Sequence, residues 1–276
     1  MIRKILIYTY GDQSHDNAIE AAAIFAAQND AELTGLFVRP DMMGYATVYG
    51  SYPLNLAQSF YDQQSEFAAK LKASFDKIVA KHDIRNQWHE IEQFERRPKP
   101  SLYADYIFVS QPDKESSVLF NDADFVDHLI TDTGLPTVVI PKDWSAKTFA
   151  VKPALGWVES KEAVSAVRHT LALMRKAENV DIVTVTKKSN LDEELIEGIE
   201  ISEYLTEHGV LTKFYAEHLN EGDRNEADTI LRHVRNHERD LIIVGGYGHS
   251  RLREIVLGGV TRALIQKSKV PIVLSH

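Results

Sequence analysis

In the second half of the chain, short apolar runs alternate with segments whose apolar positions recur at helical spacing, and this alternation predicts the order of the elements. Ala154 to Val158 reads as a strand, and Ser160 caps a helix whose buried face is Ala163, Val167, Leu171 and Met174. Asp181 to Thr186 is the next strand. Leu195 to His208 is helical and stops at Gly209, because glycine enters the left-handed region at a helix end without a Cβ penalty; Val210 to Ala216 follows as a strand. Asp223 to His237 predicts a helix with Ala227, Ile230, Leu231 and Val234 on one face. The strand Asp240 to Val244, a glycine-rich loop, a helix from about Gly258 to Lys267 and a closing strand Val270 to Leu274 complete the series. Strands that alternate with helices need right-handed crossovers, so the pattern predicts a doubly wound parallel sheet, in which ligands bind at the carboxyl ends of the strands.

The first half follows the same plan. Arg3 to Thr9, Glu32 to Val38, Trp88 to Phe94, Tyr106 to Val109 and Thr137 to Ile140 read as strands, with helices over Asn17 to Gln28 and about Leu56 to Lys81. Between Phe94 and Tyr106 the chain is too short for a full helix, and Arg96-Arg97-Pro98-Lys99-Pro100 opposes one, so the third helix is expected to be short or missing. Arg39 to Asn55, with Met42, Met43, Tyr45, Tyr49 and Tyr52, is a long loop whose adaptable side chains suit an apolar ligand or a protein contact.

An offset of 135 residues superposes the halves. It sets Ala104 to Val109 on Arg239 to Val244 and Leu135 to Ile140 on Val270 to Ser275, two strands with their flanking signals at one spacing. Two tandem domains follow, 1–143 and 149–276, joined through the polar segment around Pro141 to Thr148. Closing strands left as open sheet edges invite pairing. The expectation is that Thr137 to Ile140 and Val270 to Leu274 cover each other within the chain as an intrachain pseudo-dimer, which can associate further as a homodimer.

Composition narrows the partners. With 44% apolar and 26% charged residues the chain is a globular protein, and a formal charge of −9 argues against a non-specific nucleic-acid binder, which needs a basic face. The absence of cysteine excludes disulfides and thiolate metal sites. The start MIRKILIYTY is followed by polar residues, and the longest apolar runs, such as Ala21 to Ala27, fall far short of the roughly 20 residues of a membrane span. The reading is a cytoplasmic protein with small diffusible partners and no membrane contact.

The chemistry concentrates near the C-terminus. The strand Asp240 to Val244 runs into Gly245-Gly246-Tyr247-Gly248-His249-Ser250, and nine residues separate Gly248 from Gly258-Gly259, which open the last helix. A strand that empties into glycines before a helix N-terminus lets backbone N–H groups approach a phosphate closely, so a nucleotide is the predicted ligand. With Gly245-x-x-Gly248, nine residues and Gly258, with GYGHSRLREIVLGGVTRAL and with the closing VPIVL, the chain resembles the universal stress protein family in its two-domain form. The resemblance covers both halves at the level of fold and the second half at the level of motif. It implies an adenine-nucleotide α-hydrolase-like fold that binds ATP or a related adenine nucleotide, with Mg or Mn as a cation between the phosphates.

By the same resemblance Gly245, Gly248 and Gly258 shape the loop around the phosphates, and Val185, at the end of the second strand of that half, lines the adenine pocket. The family's next position after Gly258 is Ser or Thr; Gly259 here loses that hydroxyl, a bond worth roughly 1.5–3 kcal/mol to a charged acceptor, and keeps the backbone N–H. The family's acidic residue at the end of the first strand is replaced near Val158. Ser250, Arg251 and Arg253 offer a hydroxyl and positive charge beside the cradle, and His249 a phosphate or solvent contact. The expected cofactor-binding set is Gly245, Gly248, His249, Ser250, Gly258, Gly259, Val260 and Val185, with no catalytic or metal-ligating residue. In the first half Ser110, Asp113, Ala123 and Asp124 stand at the glycine positions, and the carboxylates of Asp113, Asp122 and Asp124 would repel a polyphosphate, so no nucleotide is expected there.

Other candidates have ordinary readings. Trp157 could stack on a base but is read as core, and Arg96, Arg97 and Lys99 as solvated charge. His233 and His237 have the i, i+4 spacing of a metal pair; no third ligand stands at a convincing spacing, and the pair is read as a solvated helix face. Hydrolase, Walker and zinc-protease motifs are missing, so at most a slow ATP hydrolysis is expected. The competing function is a structural or interaction protein, or an apolar-ligand binder, with both nucleotide sites degenerate.

Overall fold

The computed structural model describes residues 1–10, 14–39, 54–91, 99–112, 122–186, 191–246 and 258–276. In the first half, strands β1 (Lys4–Thr9), β2 (Glu32–Val38), β3 (Asn86–Ile91), β4 (Tyr106–Ser110) and β5 (Thr137–Ile140) alternate with helices α1 (Asp16–Asn29), α2 (Leu54–Val79) and α3 (Asp122–Thr133). In the second half, strands β6 (Pro153–Gly156), β7 (Val180–Thr186), β8 (Thr212–His218), β9 (Leu241–Gly245) and β10 (Ile272–Ser275) alternate with helices α4 (Lys161–Met174), α5 (Leu191–Glu207), α6 (Glu226–Asn236) and α7 (Gly259–Lys267). The third crossover of the first half holds a short 3-10 turn, Lys99–Tyr103, where the two prolines forbid a regular helix. The long loop after β2 lies outside the described residues, together with Met42, Met43, Tyr45, Tyr49 and Tyr52.

All ten strands form one sheet in the order β3-β2-β1-β4-β5-β10-β9-β6-β7-β8, parallel throughout except where β5 meets β10. At that seam Val138 faces Val273, Thr137 faces Leu274 and Val139 faces Ile272. The sequence offset carries Val138 onto Val273 and exchanges the two flanking pairs, so a pseudo-twofold axis runs between the two valines. The closing strands therefore cover each other within the chain, as the patterning predicts, in a self-complementary contact of the kind found in twofold dimers. The outer strands β3 and β8 carry Gln87, His89, Glu90, Lys213, Glu217 and His218, and such polar edges discourage further pairing.

Both halves use the same device to start their sheets. Asp105 Oδ2 accepts the N–H groups of Arg3 and Lys4 at 2.6 and 2.9 Å. At the corresponding place Asp240 accepts those of Val151 and Lys152 at 2.7 and 2.8 Å. Local signals set the helices: the Ser160 side chain caps α4 through the Ala163 N–H at 3.1 Å, Asn225 caps α6 through Asp228, and Gly209 takes φ +79° after α5.

The helices α1, α2, α4 and α5 cover one face of the sheet and α3, α6 and α7 the other, each over a continuous buried layer. The first layer runs across both halves. Phe25 packs on Tyr106, Phe108 and Phe149, the Tyr106 hydroxyl donates to the His169 carbonyl at 2.8 Å, and Lys176 reaches the Gln28 carbonyl at 3.0 Å. Among the described residues no helix is long and apolar enough to cross a membrane.

Candidate functional site

In the second half the strand order turns back on itself at β6. From there β7 and β8 lie on one side and β9 and β10 on the other, and the helices that follow β6 and β9 go to opposite faces. The carboxyl ends of β6 and β9 therefore bound a crevice, the place where open α/β sheets take their ligands. Gly156 faces Val244 across the ladder there. Gly245 has a packing role of its own: a Cβ on it would lie 2.6 Å from the Ala163 nitrogen and the Glu162 carbonyl carbon, in the first turn of α4. Gly245→Ala should push β9 from α4 and cost about 1–3 kcal/mol, read as a lower urea midpoint.

Gly258 and Gly259 are different. Gly258 caps α7 with φ −54° and ψ 144°, neither residue has positive φ, and a Cβ on either would meet no atom within 4 Å. Both are exposed, no acidic residue occupies the first turn, and the first N–H groups of any helix lack intrahelical acceptors. A glycine at the start of a helix sacrifices up to about 1 kcal/mol relative to alanine. Among the described residues neither backbone strain nor crowding asks for it here. What glycine does provide is a helix terminus with partial positive charge that no described side chain covers.

Val260 is half-buried in the first turn of α7, and Val185 is half-buried at the end of β7, against the layer beneath α6 and α7. Gly248, His249 and Ser250, with Arg251 and Arg253, lie outside the described residues. The strand β6 stops at Gly156, two residues short of its expected end, because its ladder with β9 stops at Val244. Val158 is left 58% exposed beyond it. Trp157 is buried, as its core reading requires; its backbone N–H donates to the Val183 carbonyl at 2.9 Å, and its ring closes one side of a cavity of about 280 Å³ between α4 and α5.

At the corresponding place of the first half, side chains meet where the second half has Gly245. Ser110 ends β4 where Gly245 ends β9, and the buried His15 ring lies against it, with Nδ1 2.8 Å from Ser110 Oγ and Nε2 2.8 Å from the Tyr10 carbonyl. The Tyr10 N–H also lies 3.3 Å from Nε2, so this ring nitrogen is held by both backbone groups of one residue. The Tyr10 hydroxyl donates to the Ser110 carbonyl at 3.1 Å and completes the plug. Sequence reasoning looked instead to Asp113, Asp122 and Asp124; Asp113 and the side chains of the other two lie outside the described residues.

Burial pushes the pKa of His15 down from 6.5 to about 4. Between those values the unfolded chain binds a proton that the folded one refuses, so stability falls as pH drops through this window, by about 3 kcal/mol over the whole of it. Urea midpoints measured at pH 7 and pH 5 should show this loss, and His15→Gln should reduce it.

The pair His233 and His237 corrects the sequence reading. His233 is 0% exposed, so the two do not form a solvated helix face. Its Nε2 lies 3.0 Å from Asp181 Oδ2 and its Nδ1 2.9 Å from Glu217 Oε1. His237 is half-buried and stacks on it, ring centres 4.1 Å apart, and the Tyr215 ring packs against both. Arg239 Nε stands 2.8 Å from Asp181 Oδ2, and Arg232 bridges Glu217 and Asp223 at 3.1 Å each. Asp181 Oδ1 is buried without a hydrogen-bond partner. Burial opposes the charge on Glu217, but the hydrogen bonds and charges of His233 and Arg232 outweigh it and hold this carboxyl below its usual range. The helical period gave no sign of the third group, because Asp181 comes from β7. Its signal was a lone carboxylate inside the apolar run of that strand.

Fold and repeat together define a tandem α/β protein with a crevice at the carboxyl ends of β6 and β9. Residues 152–276 match the model of the universal stress protein family. Universal stress protein Slr1230 of Synechocystis sp. is 34% identical over 91 residues, an alignment that spans 33% of this chain and about 30% of the length of that relative. Among solved structures, a universal stress protein from Archaeoglobus fulgidus DSM 4304 superposes with a TM-score of 0.70 at 15% identity, covering 98% of this chain and 97% of its own. The functionally unknown protein PA1789 from Pseudomonas aeruginosa PAO1 gives 0.57 at 12% identity, covering 99% and 92%. At these identities the two structures speak for the fold alone. The second half thus matches the universal stress protein family, and the whole chain shares the fold of these two-domain structures.

Proposed function

We propose that the second half, residues 149–276, binds ATP or a related adenine nucleotide in the crevice beyond β6 and β9, and that the first half, residues 1–143, binds none. The observation that carries this reading is the pair Gly258 and Gly259: exposed, unstrained and uncrowded, they open α7 where a strand order reverses. The N–H groups of Gly258, Gly259 and Val260 would hold the phosphates, joined by the loop residues Gly248, His249 and Ser250, with Val185 beside the base. Phosphate at a helix N-terminus gains from both the free donors and the helix dipole. Mg or Mn would neutralise the phosphates as part of the bound nucleotide. Such a protein acts as a cytoplasmic sensor or regulatory module of the stress response through its nucleotide-bound state. The meeting of Tyr10, His15 and Ser110 at the corresponding place of the first half supports the asymmetry.

Equilibrium titration with ATP, with and without Mg²⁺, tests the proposal. Binding should be saturable and should disappear in Gly248→Asp, which sets a carboxylate against the phosphates. Equal affinity in that variant would remove the loop from the site, and no binding in the parent protein would favour an assembly role.

A further inference from the structure

The stacked histidines of α6 and the carboxylate beneath them support an inference independent of the nucleotide. One ring nitrogen each from His233 and His237 and one carboxylate oxygen of Asp181 all lie within 4.8 Å of one another. We propose that Asp181, His233 and His237 form a binding site for a divalent transition-metal ion of the zinc class, toward the end of the sheet away from the nucleotide crevice.

The donor set is the first argument. Two imidazoles and one carboxylate make a zinc site with a fourth position open to water or to a further ligand, whereas magnesium and calcium take oxygen-only sets. The second is the orphaned oxygen. His233 and Arg239 both stand against Asp181 Oδ2, which leaves Oδ1 fully buried with no donor, and a buried acceptor without a partner is a place where a cation is missing from the account. The third is the outer layer. His233 turns its Nδ1 to Glu217, and Arg232 holds Glu217 in place, which is how metal-ligating histidines are fixed in tautomer and orientation by a carboxylate behind them.

Tetrahedral coordination with bonds near 2.1 Å puts ligand atoms about 3.4 Å apart, so the widest separation in the cluster must contract. His237 is the residue placed to move. It caps the C-terminus of α6, is half-buried and is held by ring stacking, so rotation about its side-chain bonds can turn a nitrogen edge inward. In the bound state one ring nitrogen of each histidine and one Asp181 oxygen would hold the ion.

Zn²⁺ competition against a chromophoric chelator, with Co²⁺ as a spectroscopic substitute, measures the site on the full chain. One equivalent should bind, and Co²⁺ should give the visible absorption of a low-coordinate nitrogen and oxygen site. His237→Ala, with folding checked by circular dichroism, should remove that equivalent, and Glu217→Gln should weaken it by about 10–100-fold. Without any substitution, Zn²⁺ should shift the assigned ring resonances of His233 and His237 and leave those of His89 unchanged. Absence of a stoichiometric equivalent, full binding retained in His237→Ala, or ring shifts confined to other histidines would overturn the proposal.

Discussion

Replacing Gly258 by Asp is expected to stabilise the protein and to remove its affinity for ATP. The residue sits at the N-cap of α7 with an extended ψ of 144°, and a Cβ there meets nothing within 4 Å among the described residues, which leave room for the new side chain. Aspartate caps a helix better than glycine by a few tenths of a kcal/mol, and its charge at the positive end of the helix adds about 0.3–1 kcal/mol. The same carboxylate accepts from the N–H groups of the first turn, which are those proposed to hold phosphate, and it repels the phosphates besides. Two charge-assisted bonds at about 1.5 kcal/mol or more each amount to a loss of at least about 100-fold in affinity. Thermal midpoint and ATP titration on one preparation read both effects. A variant that is more stable and still binds ATP would show that the terminus of α7 is not the phosphate site.

The largest effect on stability is expected from Asp181→Ala. This carboxylate is wholly buried against His233 and Arg239, and its removal leaves two buried polar groups without their acceptor. Breaking a buried charge pair from one side costs about 3–5 kcal/mol, a large share of the 5–15 kcal/mol that hold a typical domain. The urea midpoint should fall accordingly. Arg3→Ala makes the comparison, since the Arg3 and Asp30 pair is open to solvent and its loss should be close to neutral. Equal midpoints for the two variants would mean that the cluster around His233 contributes no more than a surface contact.

Much of this architecture was legible because the sequence repeats itself. Asp105 and Asp240 hold equivalent backbone N–H groups in the two halves, and the closing strands β5 and β10 match residue for residue at the same offset. Where a helix boundary moved, a side chain explains it. Asp223 was read as the first residue of α6, but it accepts from the Asn220 N–H, from Thr229 and from Arg232, and so stays outside the helix that Asn225 caps. The strand β3 begins at Asn86, two residues before its expected start at Trp88, because at a sheet edge the ladder with β2 holds polar residues that no apolar pattern marks.

The sites were less legible than the fold, for one reason. Periodicity reports neighbours along a helix or strand, whereas the plug of Tyr10, His15 and Ser110 and the cluster of Asp181, Glu217 and His233 join residues from separate elements. The glycine loop stood out because its chemistry is contiguous. Within it, sequence spacing did not distinguish Gly245, which packing against α4 requires, from Gly258 and Gly259, which no described neighbour requires.

The measurement closest to the central claim is the stoichiometry and location of bound ATP. Calorimetric titration of the full chain should give one nucleotide per molecule, and amide resonances of Gly258, Gly259 and Val260 should shift at saturation while those of Tyr10, His15 and Ser110 stay in place. Two equivalents, none, or shifts centred on the first half would contradict it.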